Sequence, residues 1–364
     1  MDEFKKEKPL YWKIYEKLKK DIEEGKIKKG ELISPEIQLT KIFNVSRITI
    51  RKALQLLQNE NFIKRKKRFG TEVIYEPKKL RDKKAIGVLL VDITRPFFNE
   101  ILKGIQYCLD KNGYKLVLCD TENKNEKEKE YILRYKDAVG GFIIAPCTEN
   151  KNLPIYAELI VEKVPFVFID RYIPELNTDY VVSDNFEGGY IITKHLIELG
   201  HKNIAVIAEP EATSVNERIE GYKKALQEIN IKKEYIFSSG KRGFENGYET
   251  GKKIIKDFPE ITAVFCINDD VAIGCLKAII ECGLKVPDDI SIAGYDNLPF
   301  SYQIHPGLTT IEQEKFEMGK KAAEILLNRI EKGIDKNKYK VKLPVNFIKR
   351  NSTSFPKKNI YEKK

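Results

Sequence analysis

Several short apolar runs in this sequence are each followed by polar groups of a similar kind. Arg95-Pro96-Phe97-Phe98 follows the run 86–91, Asp170-Arg171 follows 166–169, Asn268-Asp269 follows 262–267, and Gly294-Tyr295-Asp296 follows 290–293. Arg218 stands soon after 204–208, and Gln313 follows Leu308–Ile311. Carboxylates, amides and guanidinium groups beside flat rings suit a polyhydroxylated ring, whose hydroxyls donate and accept together and whose C–H faces stack on Phe97 and Phe98. Taken singly, Asp170, Asn268 and Asp296 could be helix caps or turn residues. Taken as a set, they belong in a pocket. A glycosidase would use Asp170 and Asp296 as its carboxylate pair. An Arg or amide expected beside each acid suits binding better than proton transfer, and no GxGxxG, GK[ST] or GxSxG motif is present. The expectation is therefore no enzyme and no cofactor. Cys108, Cys119, Cys147, Cys266, Cys275 and Cys282 show no CxxC pair, and His195, His201 and His305 are scattered, so free reduced thiols and no metal are expected.

A second set of residues suits a polyanion. Ser46, Arg47, Thr49 and Arg51 crowd one short stretch, and Lys64-Arg65-Lys66-Lys67-Arg68-Phe69-Gly70 follows it. Arginine pairs with guanine through two hydrogen bonds, while Ser and Thr hydroxyls suit phosphates. Arg47 and Arg51 could instead be an ordinary solvated pair, but the charge distribution argues otherwise. Residues 1–84 hold 24 Lys+Arg against 13 Asp+Glu, whereas residues 85–364 hold 41 of each. All the excess positive charge sits on a small head, which points to nucleic acid.

The elements that must position these groups follow from periodicity. A helix is predicted from about Pro9 to Glu24, closed by Gly25, with Tyr11, Ile14, Tyr15, Leu18 and Ile22 as its stripe. A short second helix follows Ser34-Pro35, and Ser46 caps a third that carries Ile50, Ala53, Leu54 and Leu57. Phe62-Ile63 and Val73-Ile74 flank a basic hairpin tip, so residues 1–75 read as a winged helix-turn-helix. Residues 76–84 lack periodicity and read as a linker. From 85 to 355, apolar runs at 86–91, 115–119, 141–145, 166–169, 204–208, 262–267 and 290–293 alternate with amphipathic helices. That pattern predicts an α/β, doubly wound body with parallel sheets, long enough for two lobes split near 183 and 313, before a polar tail at 356–364. Ligands of such sheets bind at the carboxyl ends of the strands, where the polar set lies. A hydrophobic fraction of 42% supplies folded cores throughout, and no apolar run is long enough to span a bilayer. The first residues, Met1-Asp2-Glu3-Phe4-Lys5-Lys6, carry no apolar signal core, so a cytoplasmic chain is expected.

Residues 9–74 resemble GntR-type DNA-binding domains through Pro9-Leu10-Tyr11, Gly30…Glu36…Leu39, Val45-Ser46-Arg47-x-Thr49-Ile50-Arg51-x-Ala53-Leu54 and Gly70-Thr71-x-Val73. The resemblance implies that Arg47 and Arg51 read bases, with Ser46 and Thr49 on the backbone and Gly70 in the wing. Ser34-Pro35-Glu36 replaces the usual Pro-Ser-Glu, and Arg68 replaces the first wing glycine, so its side chain would reach into the minor groove. Residues 85–355 resemble LacI/GalR-type effector domains and periplasmic sugar-binding proteins through Pro96-Phe97-Phe98, Phe168-Ile169-Asp170-Arg171, Ser183-Asp184-Asn185, Glu217-Arg218-x-x-Gly221-Tyr222, Val286-Pro287-Asp288-Asp289-Ile290-Ser291 and Gly294-Tyr295-Asp296. It implies that Phe97, Phe98, Asp170, Arg171, Arg218, Asn268, Asp296 and Gln313 hold a sugar. Arg95 stands where the ribose-type pattern has Asn, which admits an acidic or phosphorylated ligand. Together the resemblances imply a homodimeric repressor on a double-stranded DNA operator, released by a sugar, a pentose such as L-arabinose being the analogy. A non-sugar effector or a co-repressor is the alternative.

Overall fold

The computed structural model describes residues 9–23, 26–66, 69–75, 84–148, 151–210, 212–335 and 337–357, and the chain divides into two compact units between 83 and 84. Gly25, Arg68, most of the expected linker and the end of the tail lie outside the described residues.

The head opens with α1 (Leu10–Glu23), which buries Ile14, Tyr15, Leu18 and Ile22 along one stripe. β1 (Leu32–Ile33) and α2 (Glu36–Phe43) follow, and α2 ends at Asn44 in a left-handed conformation that turns the chain. The Ser46 hydroxyl accepts the Thr49 N–H at 3.3 Å, satisfying an orphan donor at the start of α3 (Arg47–Asn59). Ile50, Ala53, Leu54 and Leu57 of α3 pack against α1 and α2. β2 (Ile63–Lys66) and β3 (Gly70–Val73) form the antiparallel wing, completed by β1 in the order β1-β3-β2. The predicted strands at 62–63 and 73–74 stop short: Lys64, Arg65 and Lys66 are in the ladder, opposite Glu72, Thr71 and Gly70. A strand with an entirely charged outer half gives no alternation to read.

The body's first lobe runs β4 (Ala85–Leu90), α4 (Phe97–Lys111), β5 (Lys115–Asp120), α5 (Asn125–Tyr135), β6 (Gly141–Ile144), α6 (Leu153–Val161), β7 (Phe166–Ile169) and β8 (Asp179–Ser183). The second lobe runs α7 (Asn185–Glu198), β9 (Ile204–Ile207), α8 (Thr213–Glu228), β10 (Tyr235–Phe237), α9 (Gly243–Asp257), β11 (Ala263–Cys266), α10 (Asp269–Glu281) and β12 (Ser291–Ala293). The chain returns through α11 (Phe300–Gln303), β13 (Thr310–Gln313), α12 (Lys315–Lys332), β14 (Lys340–Leu343) and β15 (Val345–Ile348).

One parallel sheet has the order β14-β8-β7-β6-β4-β5 and the other β10-β9-β11-β12, while β13 and β15 pair antiparallel. Alternation along β4 sends Val88 and Leu90 into one core and Leu89 into another, so that sheet is covered on both faces. β14 adds a crossing at 343–345 to those near 183 and 313. It is an edge strand with outward lysines, Lys340 and Lys342, and its pattern is too charged to stand out in the sequence.

Helix pairs in both lobes cross backbone to backbone. A Cβ on Gly189 of α7 would lie 2.1 Å from the Arg218 carbonyl of α8, and one on Gly221 of α8 2.2 Å from the Phe186 carbonyl of α7. The same reciprocal contact joins Gly104 of α4 to Gly319 of α12, and Gly247 of α9 to Gly274 of α10.

Candidate functional site

On the head, α3 presents Arg47 and Arg51 to solvent, yet neither is a free solvated charge. Arg47 Nε donates to Glu36 Oε2 at 2.8 Å, Arg51 Nε to Oε1 at 3.4 Å, and Arg65 Nη2 of β2 lies 3.5 Å from Oε1. Burial pushes the Glu36 carboxyl up, but the Arg47 hydrogen bond and the Arg51 charge outweigh it and hold it below its ordinary value. Glu36 thus gathers three arginines from two elements. The sequence offered it only as a motif letter, because nothing in linear spacing says which base an acid will face. Ser46 and Thr49 hydroxyls lie 2.9 Å apart at the tip of α3, and Gly70, with φ +106°, turns the wing where a side chain would be strained.

In the body, the polar residues after the strands gather into linked clusters. Asp170, itself at φ +67°, accepts Arg171 Nε at 2.9 Å and Nη2 at 2.8 Å. Arg218, on the second turn of α8, donates from Nε to Asn185 Oδ1 at 2.8 Å and from Nη1 to the Ile267 carbonyl at 2.7 Å. Its guanidinium stacks 3.6 Å above the Tyr295 ring centroid, and Nη2 stands 3.8 Å from Asp296 Oδ1. Asp296 in turn accepts Gln313 Nε2 at 2.6 Å, which leaves the buried Gln313 Oε1 without a partner among the described residues. Burial raises the Asp296 carboxyl to about 7, against the pull of Arg218 and Lys315.

Asn268 does cap α10, its Oδ1 accepting the Val271 N–H at 2.9 Å, so the capping reading holds for this residue. Glu209, which no sequence motif singled out, follows β9 and meets Arg95 Nη2 at 3.1 Å from the opposite lobe. Arg95 Nε lies 3.8 Å from Asp270 as well. Burial favours a protonated Glu209, but Arg95 and the Gly243 N–H hold its carboxyl below the usual range. Phe97 and Phe98 open α4 with ring centroids 5.2 Å apart in a T-shaped contact, and both pack into the first lobe's core.

Further contacts join the lobes along the same cleft. Arg242 Nη2 donates to Thr148 Oγ1 at 2.8 Å. The Tyr172 N–H donates to Thr213 Oγ1 at 3.0 Å, and Lys342 pairs with Glu217 at 3.0 Å. Among the described residues no cluster of His, Cys, Asp and Glu could hold a metal ion, and no helix is long and apolar enough to cross a membrane. The described cysteines are all free, and Cys282 alone of the six is exposed.

Comparison with known proteins agrees with the two-part fold. Residues 10–73 match the model of bacterial regulatory proteins of the gntR family, and residues 193–353 match that of the periplasmic binding protein-like domain. The chain is 37% identical over 297 residues to the HTH-type transcriptional repressor PurR of Histophilus somni, covering 79% of this chain and 86% of that one. It is 33% identical over 339 residues to the arabinose metabolism transcriptional repressor of Geobacillus stearothermophilus, covering 90% and 93%. Among solved structures, a LacI family transcriptional regulator from Enterococcus faecium with bound ribose superposes with TM-score 0.67 at 35% identity, over 75% of this chain and all of that one. The chain belongs to the bacterial transcription repressors, joining a GntR-type DNA-binding head to a LacI-type, periplasmic-binding-like effector body.

Proposed function

We propose that the protein is a cytoplasmic, homodimeric repressor released from its operator by a neutral sugar of pentose size, with no catalytic activity of its own. The observation that carries this reading is that Arg95, Arg171 and Arg218 each face a carboxylate, while Arg242 donates to the neutral Thr148 hydroxyl. Arg171 is matched by Asp170, Arg218 faces Asp296, and Arg95 lies between Glu209 and Asp270. An anionic ligand would have to displace these carboxylates, whereas hydroxyl groups can add to them. Arg95, which suggested an acidic or phosphorylated effector, is therefore already engaged by Glu209 and Asp270. The unpartnered Gln313 Oε1 beside Asp296 offers an acceptor for a hydroxyl donor. The ribose-bound relative and the arabinose repressor both favour a pentose. Asp170 locked by its own arginine is poorly suited to act as a glycosidase nucleophile.

In this reading Phe97, Phe98, Asp170, Arg171, Arg218, Asn268, Asp296 and Gln313 hold the sugar, and Arg95 holds the lobes. Two heads meet a pseudo-palindromic operator, reading bases through Arg47 and Arg51, with Ser46, Thr49, Arg68 and Gly70 on the backbone and minor groove. Titrating D-ribose, L-arabinose and their phosphates against protein bound to fluorescent operator DNA tests it. A free pentose should lower operator affinity. Release by sugar phosphates alone, or tighter binding with ligand, would overturn the reading.

A further inference from the structure

The outward face of α3 carries one residue that neither the charge argument nor the base-reading arginines explain. Ile48 is 70% exposed. At 3.6 residues per turn it lies almost opposite the buried Ile50, Ala53, Leu54 and Leu57, at the middle of the solvent side of the helix. Arg51 and Lys52 flank it one turn on, and Gln55 lies directly below it. Each of these polar neighbours already has a partner within the head. Arg47 and Arg51 are held by Glu36, Lys52 Nζ lies 5.7 Å from the Tyr11 ring centroid, and Gln55 Nε2 donates to Asn59 Oδ1 at 2.9 Å. The charged groups are thus fixed around a bare branched hydrocarbon. Singly exposed apolar residues are common on protein surfaces, and Ile37 and Ile42 of α2 are two more. Ile48 differs in being ringed by the arginines that approach DNA, on the helix that enters the major groove.

We infer that Ile48 is a specificity residue that packs on the C5-methyl group of a thymine in the operator. The major groove displays one apolar feature, the thymine methyl, and it is read by apolar contact. The guanidinium groups on either side bring the helix onto the polyanion, and the isoleucine then meets base edges at the centre of the contact. A β-branched side chain is stiff at χ1, so its methyl groups are presented with little rotamer entropy left to lose. Arg47 and Arg51 would select guanine, and Ile48 adds a thymine within the same half-site.

This inference rests on the head's binding of DNA, and the test separates the two. Full-length protein selects sequences from a randomised duplex pool, and each thymine of the selected consensus is then replaced singly by deoxyuridine, which pairs identically but lacks the methyl. One position in each half-site should weaken the parent protein about fourfold, the worth of one buried methyl-sized group. Ile48→Ala should bind thymine and uracil duplexes equally at that position, while Ile48→Val keeps most of the discrimination. Because Ile48 is exposed, both variants should melt with the parent. Selection of a clear consensus in which no uracil substitution distinguishes the parent from Ile48→Ala would overturn the role of Ile48 and leave the DNA-binding reading standing. Failure to select any consensus would overturn both.

Discussion

Replacing Glu209 with Gln removes one charge from the bridge between the lobes while keeping its shape and one acceptor oxygen. Glu209 is 8% exposed at its side chain and Arg95 20%, so their contact at 3.1 Å is well shielded from water. At an effective dielectric near 20, two unit charges at this distance attract by about 5 kcal/mol, from which the cost of drying both must be subtracted. Hydrogen bonds to charged groups are worth a net of roughly 1.5–3 kcal/mol, which sets the scale. Asp270 at 3.8 Å remains to hold Arg95 partly in place, so the lower half of that range is expected. When the lobes part, both groups return to water and the contribution disappears, so the loss falls on closure and on any ligand that requires it. Effector affinity should drop about tenfold, with about 150-fold as the ceiling. Isothermal titration of Glu209→Gln with the releasing sugar reads this directly, and operator affinity without sugar should be unchanged. A cycle with Arg95→Met should show that the two losses do not add. Wild-type sugar affinity in a folded Glu209→Gln protein would refute the bridge as a determinant of closure.

Asp296, raised to about 7 by burial from 3.8 in the unfolded chain, contributes stability that is complete below about pH 4 and lost as pH rises through 7. Asp296→Asn should therefore gain melting temperature relative to the parent between about pH 5 and about pH 8, and a gap independent of pH would count against the buried charge. Glu36→Gln should release Arg47, Arg51 and Arg65, strengthening binding to random duplex while narrowing the preference for operator, as read by competition at several salt concentrations. Arg51→Ala should cost about 1–3 kcal/mol on operator and much less on random DNA. Gly221→Ala would place a methyl 2.2 Å from the Phe186 carbonyl, so the body should lose about 1–3 kcal/mol and melt several degrees lower. An unchanged melt would show that α7 and α8 can part freely.

The sequence disclosed what depends on local pattern. The α3 stripe, the Ser46 cap and the apolar strands β4, β6, β7, β9 and β11 are written in periods that survive without neighbours. β8, β10 and β14 were missed because they are short or edged with charge, and only pairing with distant strands makes them strands. The same division runs through the site. Asp170, Arg218, Asn268 and Asp296 stand next to strand ends or helix starts, where a doubly wound fold brings groups together. Glu209 also follows a strand, β9, but Glu-Pro-Glu after an apolar run looks like any solvated loop. Its importance comes from Arg95, 114 positions away. Glu36 was hidden in the same way, eleven residues before Arg47 and fifteen before Arg51.

The glycine crossings set the spacing of the cleft. α7 begins with Asn185 and α8 carries Arg218, its hydrogen-bonded partner. α9 begins beside Arg242 and α10 beside Asn268, while α4 begins with Phe97 and α12 lies two residues beyond Gln313. Each crossed pair thus holds two cleft groups at its end, and the distance between its members is a backbone distance. Side chains can change rotamer and absorb a push, but touching main chains cannot. A sugar that pushes on the α8 main chain, beyond what the Arg218 side chain can absorb, moves α8 and α7 together, so a shift at one hydroxyl leaves the cleft as the motion of a whole layer.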